Sequence, residues 1–168
     1  MQWDNDIRTK YHNFAKTYIS TYNKKIDCAD LAIAALVEFA ADNKLPIRFK
    51  YYDRGWKWST FDPENDEKIK FKRKAMLMFG ALNVIDNTKE IAISDAKSGD
   101  FIMSRWSTTL GHTRVIYSVT PEGDKFKVVW YQGSLPPIKP EKKEEYFSRI
   151  AGVYKNKPRR WNFDQFEG

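Results

Sequence analysis

The chain has a single cysteine, Cys28, and two histidines, His12 and His112, in 168 residues. One thiol excludes an internal disulfide framework and any cysteine-rich zinc site, and two histidines offer little for a histidine-based metal centre, so no metal or cofactor is expected. Long apolar runs are also lacking: stretches such as Leu31 to Val37 fall far short of the roughly 20 residues that span a bilayer. Met1 is followed by Gln2, Trp3, Asp4, Asn5 and Asp6, without the basic start or apolar core of an export signal. Such a chain is expected to be made in a cytoplasm and to need another carrier to act outside it. No Ser/Gly/Pro-rich linker, composition break, repeat or low-complexity tract divides the sequence, which reads as one domain over 1–168.

Against these absences stand 42% apolar residues, 15% aromatics and 30% charged residues, the balance of a packed, water-soluble globule. The net charge of +7 points to an anionic partner, whether nucleic acid, an acidic lipid surface or a wall polymer. Charge alone does not choose among them.

Asp4 caps an expected first helix whose apolar residues Ile7, Tyr11, Phe14, Ala15 and Tyr18 share one face, ending near Tyr22. Asp27 caps a second, with Leu31, Ala32, Ala35, Leu36 and Phe39 inward and a stop near Asn43 and Lys44, before Pro46. Ile47 to Tyr52 reads as a strand, Trp56 to Phe61 as an aromatic loop, and Asp62-Pro63-Glu64 as the start of a third helix with Phe71, Ala75, Met78, Phe79 and Leu82 inside. Beyond Asn87 the pattern becomes extended, with strands expected at Phe101 to Trp106, His112 to Val119, Phe126 to Gln132 and Arg149 to Tyr154. Helices followed by an antiparallel sheet make an α+β fold. The segment from Pro158 to Gly168 reads as partly mobile.

Cys28 falls in the first turn of the second helix, where exposed backbone N–H groups and the helix dipole favour thiolate. A cysteine nucleophile needs a base and an orienting third group. His12 lies off the apolar face as drawn and reads as a surface residue, whereas His112 opens a strand after Gly111. If Thr120-Pro121-Glu122-Gly123-Asp124 forms a three-residue hairpin loop with Thr120 opposite Asp124, then His112 lies across from Gln132. Opposed side chains share a face, with Cβ atoms about 4.5 to 5.5 Å apart. A one-residue slip would put Tyr131 or Gly133 there instead. The oxyanion would be held by the Cys28 N–H and Tyr22, and Asp27, Trp56 and Trp58 complete the candidate oxyanion and substrate-binding set.

The order Asp27-Cys28 at a helix start, Gly99-Asp100-Phe101-Ile102 before a strand, Gly111-His112 opening the next and Gln132 on the one after resembles NlpC-type papain-like cell-wall peptidases and their CHAP relatives. The resemblance runs from Asp27 to Ser134. It implies a helix carrying the cysteine packed on an antiparallel sheet, with Cys28 as nucleophile, His112 as base and Gln132 as orienting residue, cleaving amide bonds in peptidoglycan stem peptides. The family often continues Asp-Cys-Ser-Gly where this chain has Ala29 and Asp30, so contacts made by that serine do not carry over. Asp27-Cys28-Ala29-Asp30-Leu31 with a later Gln132-Gly133-Ser134 is also similar to amidase toxin domains on type VI secretion spikes. That analogy implies delivery to a target periplasm, a secretion spike as carrier and an immunity protein as partner.

Other readings remain open at this level. A lone cysteine on an apolar helix is commonly a buried structural thiol. The rings of Trp56, Trp58 and Phe61 could cap the core rather than rim a site, and the basic run Lys68 to Lys74 could be only a solvated face. Basic and aromatic clusters such as Arg159-Arg160-Trp161 or Lys70-Phe71-Lys72-Arg73 would suit nucleic-acid binding, although no recognised motif accompanies them. The same thiol chemistry also serves acyltransferases, phospholipases and deamidases.

Overall fold

The structure is a computed structural model that describes residues 2–105, 107–108, 110–148 and 157–167. Both N-terminal helices begin where a carboxylate can take an unpaired N–H. Asp4 accepts from Ile7 N at the start of α1, Asn5–Thr21, and Asp27 accepts from Asp30 N at 2.7 Å at the start of α2, Cys28–Asp42. α2 lacks glycine and proline and is rich in alanine, so it runs through the interior with nearly every side from Ala29 to Ala40 buried.

β1, Ile47–Tyr52, pairs with β2, Trp56–Phe61, as a separate two-stranded sheet; the expected aromatic loop is therefore a strand. Alternation explains this: Phe61 and Ser59 turn inward while Trp56 and Trp58 stay outside. The third helix also starts later than expected. The Asp62 carboxylate accepts from Glu64 N and Asn65 Nδ2, and that of Asp66 accepts from Asp62 N. These bonds tie the segment into turns, so α3 runs from Lys68 to Met78 and α4, a separate helix, from Ala81 to Asp86. Phe71, Ala75 and Phe79 are inside, whereas Met78 is exposed.

The main sheet is antiparallel throughout. It contains β3, Thr88–Glu90; β4, Phe101–Arg105; β5, Gly111–Glu122; β6, Lys125–Gln132; β7, Glu141–Ser148; and β8, Lys157–Trp161. Their spatial order is β3-β8-β4-β5-β6-β7. The expected strand at Arg149 to Tyr154 lies outside the described residues. Phe101, Met103 and Val115 pack toward the helices, and Ile102, Ile116, Val128 and Trp130 form a second cluster on the other side. The fold is thus α+β, with helices and antiparallel sheets.

The segment expected to be mobile is instead central over its described residues, 158–167. β8 lies between β3 and β4, and Trp161, Phe163 and Phe166 are buried with Trp3, which stacks on Phe163 at 5.1 Å between centroids. His12 is likewise buried rather than superficial. The loop before β4 folds onto α1, bringing Gly99 so close that a Cβ there would lie 2.7 Å from the Ala15 Cβ. His12 Nδ1 consequently meets the Ser98 carbonyl at 2.8 Å. Among the described residues, no helix is long and apolar enough to cross a membrane.

Candidate active site

Cys28 is the first residue of α2, half-buried, in a cleft of about 950 Å³ that His112, Gln132, Asp27, Ala29, Ser134 and Leu135 also line. The opposite wall is the start of α4, Gly80 to Asn83. Gln132 Oε1 is an acceptor, so His112 Nε2–H donates to it at 2.6 Å and the basic lone pair of the imidazole falls on Nδ1.

The pair meets by a route different from the expected one. The β5–β6 turn has two residues, Gly123 and Asp124, with Glu122 opposite Lys125 and Gly123 at φ +59. In that register odd residues face even ones, which would put His112 and Gln132 on opposite sides of the sheet. A β-bulge at Tyr117 adds one residue to β5, and from Ile116 opposite Trp130 onward even faces even. Extending the ladder one step past Val115 and Tyr131 sets Arg114 beside Gln132. His112 therefore reaches Gln132 diagonally, on the same face.

Past that point the strands part. A Cβ at Gly133 would lie 2.4 Å from the Ile26 carbonyl oxygen and 2.5 Å from that of Asp27, so only glycine lets β6 pass against the entry to α2. Ser134 N then donates to Ile26 O, and Ile26 exchanges further bonds with Ile138. This junction holds Cys28 at the gap between β5 and β6, where the Thr113 N–H, next in the chain to His112, points at the sulfur.

Electrostatics correct the expectation of an easily ionised thiol. Burial pushes the Cys28 thiol above its ordinary value and the Asp27 carboxylate adds to the rise, while N–H groups of Thr113, Ala29 and Cys28 itself pull the other way without prevailing. Asp30, in the first turn of the helix, is raised to about 7 by burial and by the nearby Asp27, whose carboxylate a protonated Asp30 can bond.

The other expected site residues are dispersed. Asp27 lines the cleft but serves as the helix cap. Tyr22 caps the end of α1 and is not among the cleft-lining residues. Trp56 and Trp58 project from the outer face of the β1–β2 sheet. Sequence reasoning missed the α4 wall and the two exposed leucines at the cleft, Leu110 and Leu135. A leucine beside Pro136 and Pro137 in a loop was the available signal. The Gly99-Asp100 pair has a structural role: Asp100 is buried and accepts from Arg160 Nε at 3.0 Å and Nη2 at 2.8 Å, joining β8 to the start of β4.

Among the described residues, no group of three or more histidine, cysteine or carboxylate side chains is placed to hold a metal ion. Comparison with known proteins finds no matching family, no matching curated protein and no matching solved structure.

Proposed function

We propose that this chain is a papain-like, NlpC-type cysteine hydrolase that cleaves amide bonds in bacterial peptidoglycan stem peptides, acting as a delivered antibacterial effector. The observation that carries the chemistry is the 2.6 Å bond from His112 Nε2 to Gln132 Oε1 in the cleft that contains Cys28. The substrate rests on the resemblance in motif order described above.

In this mechanism the protonated thiol requires general-base help. His112 Nδ1 takes the Sγ proton as sulfur attacks the acyl carbon, and Gln132 holds the ring in the tautomer that allows it. The tetrahedral oxyanion forms at the start of α2, where backbone N–H groups and the helix dipole favour negative charge. The imidazolium then protonates the leaving amine, leaving a thioester on Cys28. Water deprotonated by His112 releases the acid and restores the thiol.

One observation favours a second reading, attack on an uncharged acyl ester such as a lipid. Leu82, Leu110 and Leu135 line the cleft, and no lysine or arginine does so among the described residues. Incubating the protein with purified peptidoglycan and with phospholipid vesicles, followed by mass spectrometry of the products, separates the two. Cys28→Ala is expected to abolish release in either case, and Gln132→Ala to lower kcat on the order of tenfold, the loss of one orienting hydrogen bond. Wild-type turnover by Cys28→Ala would overturn the mechanism.

A further inference from the structure

The antiparallel register of β1 and β2 gathers Arg48, Lys50 and Tyr52 with Trp56, Trp58 and Thr60 on one outward face. Tyr52, Trp56 and Trp58 are 69%, 58% and 44% exposed. Neighbouring large apolar rings on an open surface mark contact sites more often than chance. They are also held in place: the Arg48 guanidinium carbon is 4.0 Å from the Trp58 ring centroid, the Lys50 Nζ is 5.1 Å from that of Trp56, and Tyr52 meets Trp56 edge-on at 5.6 Å. A cation over one face of an indole leaves the other for a ligand.

This face is coupled to the cleft through Asn87. Its Oδ1 accepts from Lys50 N at 2.8 Å, and its Nδ2 donates to Lys50 O at 3.0 Å and to Asn83 O at 2.7 Å. Asn83 is in the cleft wall. α4, which spans the interval, has six residues and is about 9 Å long. One short helix thus joins the hairpin to the wall of the cleft.

We infer that the outer face of the β1–β2 hairpin is an accessory binding surface for an anionic glycan, stacking sugar rings on Trp56, Trp58 and Tyr52 and meeting sparse carboxylates with Arg48 and Lys50. The charge pattern selects this occupant. Arg54 and Lys57 both lean on Asp53, at 3.5 Å and 3.2 Å, and the cations that the register places beside the three rings are Arg48 and Lys50. Single-stranded nucleic acid, with a phosphate at every nucleotide, calls for a continuous cationic track between its stacking rings. The inference rests on the wall-polymer reading above.

The test uses Cys28→Ala protein, which can hold a polymer without cutting it, sedimented with purified wall sacculi. Adding Trp56→Ala and Trp58→Ala is expected to weaken binding about tenfold, or about 1.4 kcal/mol. Lys50→Glu, also in the Cys28→Ala background, should weaken it in the same direction and carries the test alone if the tryptophan variant loses its circular dichroism spectrum. No binding by the parent protein, or binding unchanged in the folded variants, overturns the surface. So does tryptophan-dependent binding of oligodeoxythymidine without binding of sacculi, which would make the hairpin a nucleic-acid site. Hydrolysis by the wild type is scored separately: binding without cleavage sinks the enzymatic reading alone, and cleavage without hairpin-dependent binding sinks the surface alone.

Discussion

At the scale of single residues, the site separates two effects that a helix start usually combines. N–H groups aim at the Cys28 sulfur, yet burial and Asp27 outweigh them, so the thiol titrates above its ordinary 9.0. Alkylation by iodoacetamide should therefore keep accelerating through pH 9, whereas a resting thiolate paired with imidazolium would level off in the acid range. Asp30 gives a second pH signature. Its folded value of about 7 exceeds the ordinary 3.8, so the folded state keeps a proton that the unfolded chain has lost between those limits. Stability from this group falls as pH rises across that window, and the full cost is present above pH 7. Asp30→Asn, which keeps a donor for Asp27 without a charge to create, should gain thermal stability relative to wild type as pH goes from 4 to 8. A difference between the two proteins that stays constant over that range would refute the assignment. Cys28 and His112 stood out in the sequence because cysteine and histidine are so scarce here, and the structure brings both to one cleft with Gln132. The raised thiol was not, since it depends on Thr113 and on burial from distant strands.

At the scale of elements, α1, α2, β1 and β6 were legible because caps, apolar periodicity and alternation agree there. α3 was misplaced because Asp62 and Asp66 spend their carboxylates on turns. β2 was hidden because its aromatic residues alternate between core and solvent over only six positions. The His112–Gln132 pairing was reached through a wrong loop length, and the bulge at Tyr117 restored the even offset that the tight turn had removed. Bulges leave little trace in a single sequence, as any residue can occupy one. The junction of β6 with α2 is a sharper test of how the elements position Cys28, the proposed nucleophile. Gly133→Ala drives a methyl group into the Ile26 and Asp27 carbonyls, so it should cost about 1 to 3 kcal/mol in denaturant unfolding and a larger share of activity than of stability. Full activity in that variant would show that Cys28 does not depend on this contact.

At the scale of the whole molecule, the ends of the chain are load paths rather than fringes. Asp100 is 1% exposed and burial raises its carboxyl pKa, with Arg160 opposing that rise from the neighbouring β8. Arg160→Met leaves that carboxyl without its bidentate partner and should destabilise the fold by about 3 to 5 kcal/mol, measured by urea unfolding at pH 7. A loss below about 1 kcal/mol would mean that Asp100 is neutral in the folded protein and needs no counter-charge. The position of β8 also has a consequence in time. Residues 157–161 pair with β3 on one side and β4 on the other, so during synthesis the sheet exists as two unjoined pieces until that strand leaves the ribosome. The cleft residues are translated well before the strand that closes the sheet beneath them. A nascent or prematurely terminated chain would thus carry Cys28, His112 and Gln132 on an unfinished platform, and the cleft they line is complete only once residues 157–161 have joined the sheet.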